Sequence, residues 1–168
     1  LYSELEFASM LDDVRALRTL GVAGIVIGCL TADGTIDEAR MQALVEAAKP
    51  MAVTCHRAFD MTRDYREALE TLVRCGVDRV LTSGQRDTAI DGLEILKGTV
   101  EAAQGRLKIM ACGGLDAGNI AGVLRGSAAD ELHFSAPHVT KSPMRFRNEH
   151  VGMAGVGNTD SGREFELT

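Results

Sequence analysis

Apolar and polar positions along the chain switch between two periods. Leu5, Met10, Leu11, Val14, Leu17 and Leu20 follow a spacing of threes and fours, which predicts an amphipathic helix from about Glu4 to Thr19, stopped by Gly21. Gly24-Ile25-Val26-Ile27-Gly28-Cys29-Leu30 then reads as a buried strand, and Asp33-Gly34 marks a turn in the loop after it. Asp37 is placed to cap a helix running to about Ala48, with Ile36 before it as a hydrophobic staple. Beyond Pro50 a second strand leads into Val53-Thr54-Cys55-His56-Arg57. A helix over Asp64 to Arg74, a strand over Arg79 to Gly84, a helix over Thr88 to Ala103 and a strand over Leu107 to Cys112 follow in turn. A short helix near Asn119 to Leu124 and a last strand, Glu131 to Ser135, complete the pattern.

The strands recur at intervals of roughly 24 to 28 residues, the length of one strand and a crossover helix. Cys75-Gly76-Val77-Asp78-Arg79-Val80-Leu81 echoes Leu20-Gly21-Val22-Ala23-Gly24-Ile25-Val26, so the chain repeats a unit. Apolar strands each followed by a helix predict an α/β fold with a parallel sheet. Periodicity alone leaves barrel and open sheet equally open. The chain, 1–168, reads as a single domain whose residues 136–168 form an irregular tail.

Composition narrows the function classes. With 168 residues, 25% charged and 45% hydrophobic, and a mean hydropathy of zero, the chain has the make-up of a globular domain with a proper core. A net charge of −6 argues against binding nucleic acid, which needs clustered Lys and Arg. No apolar run is long enough to cross a bilayer, and the first residues lack a signal-peptide pattern, so the cytoplasm is the expected location. Cys29, Cys55, Cys75 and Cys112 are widely spaced with no CxxC, as expected of reduced thiols.

In parallel α/β folds ligands lie at the carboxyl ends of the strands. Those ends carry Cys29; His56 and Arg57, with Asp60 close behind; Ser83; Cys112, Gly113 and Gly114; and His133 and Ser135. His56 suits proton transfer or metal ligation, with a simple backbone contact as its structural alternative. Arg57 suits a carboxylate or phosphate, or equally an ion pair with Asp60. Alternation puts Glu131, His133 and Ser135 on one face of the last strand, so Glu131 and His133 form either an acid–base pair or a structural one. By the same logic Cys55 points towards the helices. Gly113-Gly114 before a short helix can bring backbone N–H groups to an anion, or only make a tight turn. Arg145 and Arg147 share a face if extended and suit an anion, with a solvated basic turn as the alternative. Cys29 and Cys112 are candidate thiolate donors to Cu(I), against the plainer reading as small buried apolar groups.

Five segments together resemble the CutC family: Pro50 to Asp60, Arg79-Val80-Leu81-Thr82-Ser83-Gly84, Cys112-Gly113-Gly114, Glu131-Leu132-His133-Phe134-Ser135 and Met144-Arg145-Phe146-Arg147-Asn148. They occur in order and at fitting spacing over most of the chain. One departure is Cys55, where the resemblance leads to the expectation of an aromatic residue. The resemblance implies a (β/α)8 TIM barrel, of which this chain covers about the last five units, and a cytoplasmic copper homeostasis protein that binds or confers tolerance to Cu(I). It further implies about three more strands before Leu1, where family cysteines proposed as copper ligands largely lie, and a helical end after Thr168. A barrel short of those strands exposes an edge and an apolar interior, so association between copies is expected. The dispersed ring of His, Arg, Glu, Ser and Gly-Gly otherwise suits a lyase or isomerase acting on a small anionic or phosphorylated metabolite.

Overall fold

A computed structural model describes residues 1–136, 138–141, 143, 145, 146 and 163–166. Helix and strand alternate as α1 (Glu4–Thr19), β1 (Gly24–Ile27), α2 (Glu38–Ala48), β2 (Ala52–Cys55), α3 (Tyr65–Cys75), β3 (Arg79–Thr82), α4 (Leu93–Ala103), β4 (Lys108–Cys112), α5 (Ile120–Ser127) and β5 (Glu131–His133). A 3₁₀ turn, Arg57–Met61, sits between β2 and α3. The helices start where short polar side chains satisfy free backbone donors. Ser3 and Glu6 form a reciprocal capping box on α1, Asp37 accepts from the Arg40 N–H, and Asp64 accepts from the N–H groups of Arg66 and Glu67. Ile36 and Met41, the two residues of the staple on α2, are both buried in the main core.

All five strands are parallel and lie in the order β1-β2-β3-β4-β5. A doubly wound open sheet reverses its strand order at a switch point, whereas a barrel adds each strand next to the last. The sequential order therefore resolves the choice left by periodicity, and the sheet is an arc of five strands of a TIM barrel.

The core lies on the helical side of this arc. Ile25, Ile27, Val53, Cys55, Val80 and Ile109 point into it, and α2 adds Met41, Leu44 and Val45 and α3 adds Leu69 and Leu72. A smaller cluster joins Leu96, Ala111, Val123 and Leu115 under α4 and α5, with Leu132 of β5 packed against it. The side chains that alternate to the other face are of another kind: Val26 is 61% exposed, Thr54 is buried, and Arg79 and Glu131 carry charge.

Residues Leu1–Phe134 make up one compact unit and Ser135–Thr168 another. In the second, β6 (His138–Lys141) and β7 (Arg163–Glu166) pair antiparallel, with His138 opposite Glu166 and Lys141 opposite Arg163. This hairpin lies within the stretch expected to be irregular.

Among the described residues β1 has a hydrogen-bonded neighbour on one side only. Beside it a cavity of about 330 Å³ opens between β1 and α1, lined by Met10, Val14, Leu17, Val22, Ile25 and Val26 among others. An apolar strand edge of this kind favours pairing with another chain. The 168-residue chain is therefore expected to associate as its concentration rises in light scattering, and Val26→Lys to shift it towards monomer. A wild-type chain that stays monomeric throughout would contradict this.

Candidate functional site

The carboxyl ends of β2 and β3 are held together by one carboxylate. Asp60 lies on the 3₁₀ turn after β2, and only 6% of its side chain is exposed. It accepts from the Thr82 hydroxyl at the end of β3, from the Ser83 N–H at 3.1 Å, from the Gln85 N–H at 3.1 Å and from Arg57 Nε at 2.7 Å. Ser83 Oγ also lies 3.0 Å from Asp60 Oδ2 and close to the Arg86 carbonyl, so its single proton serves one of the two acceptors. Burial on its own pushes the Asp60 pKa up. The bonds from Thr82, Arg57, Gln85 and Ser83 outweigh that and hold the carboxyl below its ordinary value of 3.8. Asp60 is thus an ionised anchor.

Arg57 is oriented by this anchor. Its Nη2 donates to Ser83 Oγ at 2.6 Å and to the Arg86 carbonyl at 3.0 Å, while Nε is taken by Asp60. Nη1 has no acceptor among the described residues, and the side chain is 45% exposed. One amino group of a clamped guanidinium therefore remains for an outside acceptor.

Gly113 follows β4 with φ at +94°, a conformation that favours glycine, and a Cβ there would lie 3.1 Å from the Ser83 Cβ. The chain turns tightly against Ser83 at this point. The Gly113 carbonyl accepts from the Ala89 N–H and the Gly114 carbonyl from the Asn119 amide, so both carbonyls serve the loop.

His56 caps the 3₁₀ turn. Its Nδ1 accepts the Ala58 N–H at 3.1 Å, and a Cβ on Gly28 would fall 2.6 Å from its Cε1, which places the ring against the end of β1. Burial lowers its pKa below the ordinary value.

Of the remaining candidates, Glu131 lies at the other end of the sheet. Glu131 begins β5 and is held at that end by Arg79, whose Nη2 donates to Oε1 at 2.8 Å and whose Nη1 reaches Thr54 Oγ1 at 3.3 Å. Arg79 starts β3, so this bridge spans β4 at the amino ends of the strands and engages Glu131 where sequence pairs it with His133. The bond from Arg79 holds the Glu131 carboxyl below its usual range. His133 ends β5 and is exposed. Ser135 and Arg145, both exposed, belong to the second unit, and Arg147 lies outside the described residues.

The cysteines do not converge. Cys29 is buried in the main core with Cys55 and Cys75, on the helical side, whereas Cys112 shares the opposite face of β4 with Met110 and feels the charges of Arg57 and Asp60. Burial raises the Cys29 thiol and pushes Cys55 up to about 12 and Cys112 up to about 11, so none is poised as a thiolate. Among the described residues no three His, Cys, Asp or Glu side chains come together as a metal-ligand group. These donors do not fit a Cu(I) thiolate site. The Cys55 side chain points towards the helices, as alternation requires.

Arg79, Gln85 and Arg86 were not singled out from sequence as site residues. A charged side chain as the first residue of an apolar strand was the available signal for Arg79. Nothing local marks Gln85 and Arg86, whose roles arise from the shape of the loop.

A parallel sheet wound in sequence, its strands joined by helices, defines an α/β-barrel protein. The CutC family model matches residues 1–138. A CutC family protein of Mesorhizobium japonicum is 60% identical over 168 residues, 100% of this chain and 64% of that protein. The human copper homeostasis protein cutC homolog is 44% identical over 153 residues, 91% of this chain and 56% of that one. The crystal structure of CutC from Streptococcus agalactiae superposes with a TM-score of 0.75 at 28% identity, covering 79% of this chain and 65% of that one. The chain belongs to the CutC family, and it spans less than two thirds of the length of each of these three proteins.

Asp60→Asn keeps the shape of the anchor but removes its charge. It is expected to cost roughly 2–4 kcal/mol in urea unfolding at pH 7. Because folding lowers the Asp60 pKa, the difference between wild type and variant is complete above the ordinary value of 3.8 and fades as pH falls through the lower folded value. A difference that persists unchanged into strong acid would overturn the charge-anchor account.

Proposed function

We propose that this chain serves copper homeostasis. The observation that carries the reading is its 44% identity to the human copper homeostasis protein cutC homolog. Four buried cysteines, none in a disulfide, suit a reducing compartment, and the reading puts the protein in the cytoplasm. Copper is treated as cargo, with Cys29 and Cys112 left out as its ligands because their sulfurs lie on opposite faces of the sheet. Cells lacking a CutC protein are expected to regain copper tolerance when the protein carrying this chain is expressed, and to keep it with Cys29→Ser and Cys112→Ser. No gain with the wild type sinks the copper reading; a gain lost in either variant restores that thiol as a ligand.

A second reading is favoured by the uncommitted Nη1 of Arg57. In it, the strand ends of β2, β3 and β4 take a small anionic or phosphorylated metabolite, and the protein is an enzyme of lyase or isomerase type. Arg57 supplies the clamp, with the turn at Gly113 and Gly114 alongside. Arg57→Lys keeps the charge but loses the fork, and is expected to weaken binding of inorganic phosphate about tenfold in calorimetry. Equal affinity in both proteins would remove Arg57 as the anion site.

A further inference from the structure

His56 offers the site a defined atom. Its Nδ1 accepts the Ala58 N–H at 3.1 Å, so in the neutral ring the proton sits on Nε2. Protonating Nδ1 would set two N–H groups against each other across that contact, and burial of the ring opposes the charged form as well. The ring lies against the end of β1, where a Cβ on Gly28 would fall 2.6 Å from Cε1 and 2.8 Å from Nδ1. Nε2 itself has no partner among the described residues. A half-buried imidazole with one nitrogen locked as acceptor and the other left as an unused N–H donor is built to give a hydrogen bond. It is not built to take a proton, because its basic nitrogen is already engaged by Ala58.

The neighbouring Arg57 leans the other way, towards Ser83 just after β3, whereas the His56 ring leans towards Gly28 after β1. The two donor groups therefore flank the end of β2 from opposite sides. A ligand engaged by both carries an anionic group at one end and a carbonyl or second acidic oxygen at the other.

We propose that His56 acts as a fixed, neutral hydrogen-bond donor, through Nε2–H, to an oxygen of the anionic ligand whose other end is held by Arg57 Nη1. This rests on the anion reading of the strand-end site and gives His56 the part of a polarising donor where sequence offers it as a base. The substrate class that follows is a short phosphorylated or dicarboxylate metabolite bearing an oxygen to be polarised.

The test is long-range ¹⁵N NMR on the uniformly labelled protein at pH 7, without and with malonate, succinate and glycerol phosphate as probes. The expected His56 pattern is an unprotonated Nδ1 and a protonated Nε2, with the Nε2 signal moving as a probe saturates the Arg57 guanidinium. A protonated Nδ1, or binding that perturbs Arg57 and leaves Nε2 unmoved, overturns the proposal while the anion site stands. If no probe perturbs Arg57 although His56 shows the expected tautomer, the anion reading fails and takes the proposal with it. Two variants separate donor from bulk: His56→Gln, whose amide reaches the Nε2 position, is expected to keep probe affinity within about threefold, and His56→Asn, which reaches only Nδ1, to lose about tenfold. Equal affinities in the two variants overturn the donor role.

Discussion

A nearly solvent-free carboxylate has to be surrounded by donors, and that requirement at Asp60 organises the mouth of this sheet. The acceptor comes from the turn after β2, and its donors come from the last residue of β3 and the loop beyond it. Satisfying one charge therefore fixes two strand ends relative to each other. Arg57 is drawn into the same network, which sets the direction of its guanidinium, and Ser83 is brought so close to the turn after β4 that a Cβ at position 113 would crowd it at 3.1 Å. Remove the charge and each of these placements loses its reason.

The amino ends of the strands are held by a related device, repeated along the chain. Asp78, just before β3, accepts the Val53 N–H of β2 at 2.7 Å, and Asp130, just before β5, accepts the Ile109 N–H of β4 at 2.9 Å. In each case the backbone N–H of the aspartate donates to the carbonyl of the same residue, so the junction is doubly bonded. The Arg79–Glu131 bridge ties β3 to β5 across β4. In the first copy of the repeated sequence Ala23 occupies the place of Asp78, and β1 begins without a carboxylate. Aspartates thus pin the amino ends at the β2–β3 and β4–β5 junctions, and none does so at β1.

Much of this was legible in the chain before any coordinates. α1 spans the predicted residues because its capping box and its three-four spacing agree, and Asp37 and Asp64 cap where their side chains can reach free N–H groups. Alternation placed Cys55 towards the helices because a strand has only two faces. What could not be read depends on register between strands far apart in sequence. Glu131 finds Arg79 rather than His133 because β3 and β5 flank the same strand, a relation that no local pattern encodes. The 3₁₀ turn at Arg57–Met61 was missed for a similar reason: its start is set by the His56 ring accepting the Ala58 N–H, a role usually filled by shorter polar side chains. The clamped Arg57 was legible only as a residue type; which of its nitrogens is spent and which is left required the loop carrying Ser83 and Arg86.

The four buried thiols give the molecule an internal clock. A bulky alkylating reagent cannot reach Cys29, Cys55 and Cys75 in the helical core, or Cys112 beneath the strand ends, without an opening of the surrounding structure. Each sulfur therefore reports the free energy of a different local opening, and the order in which they are modified ranks the parting of the helical layer against the parting of the barrel mouth.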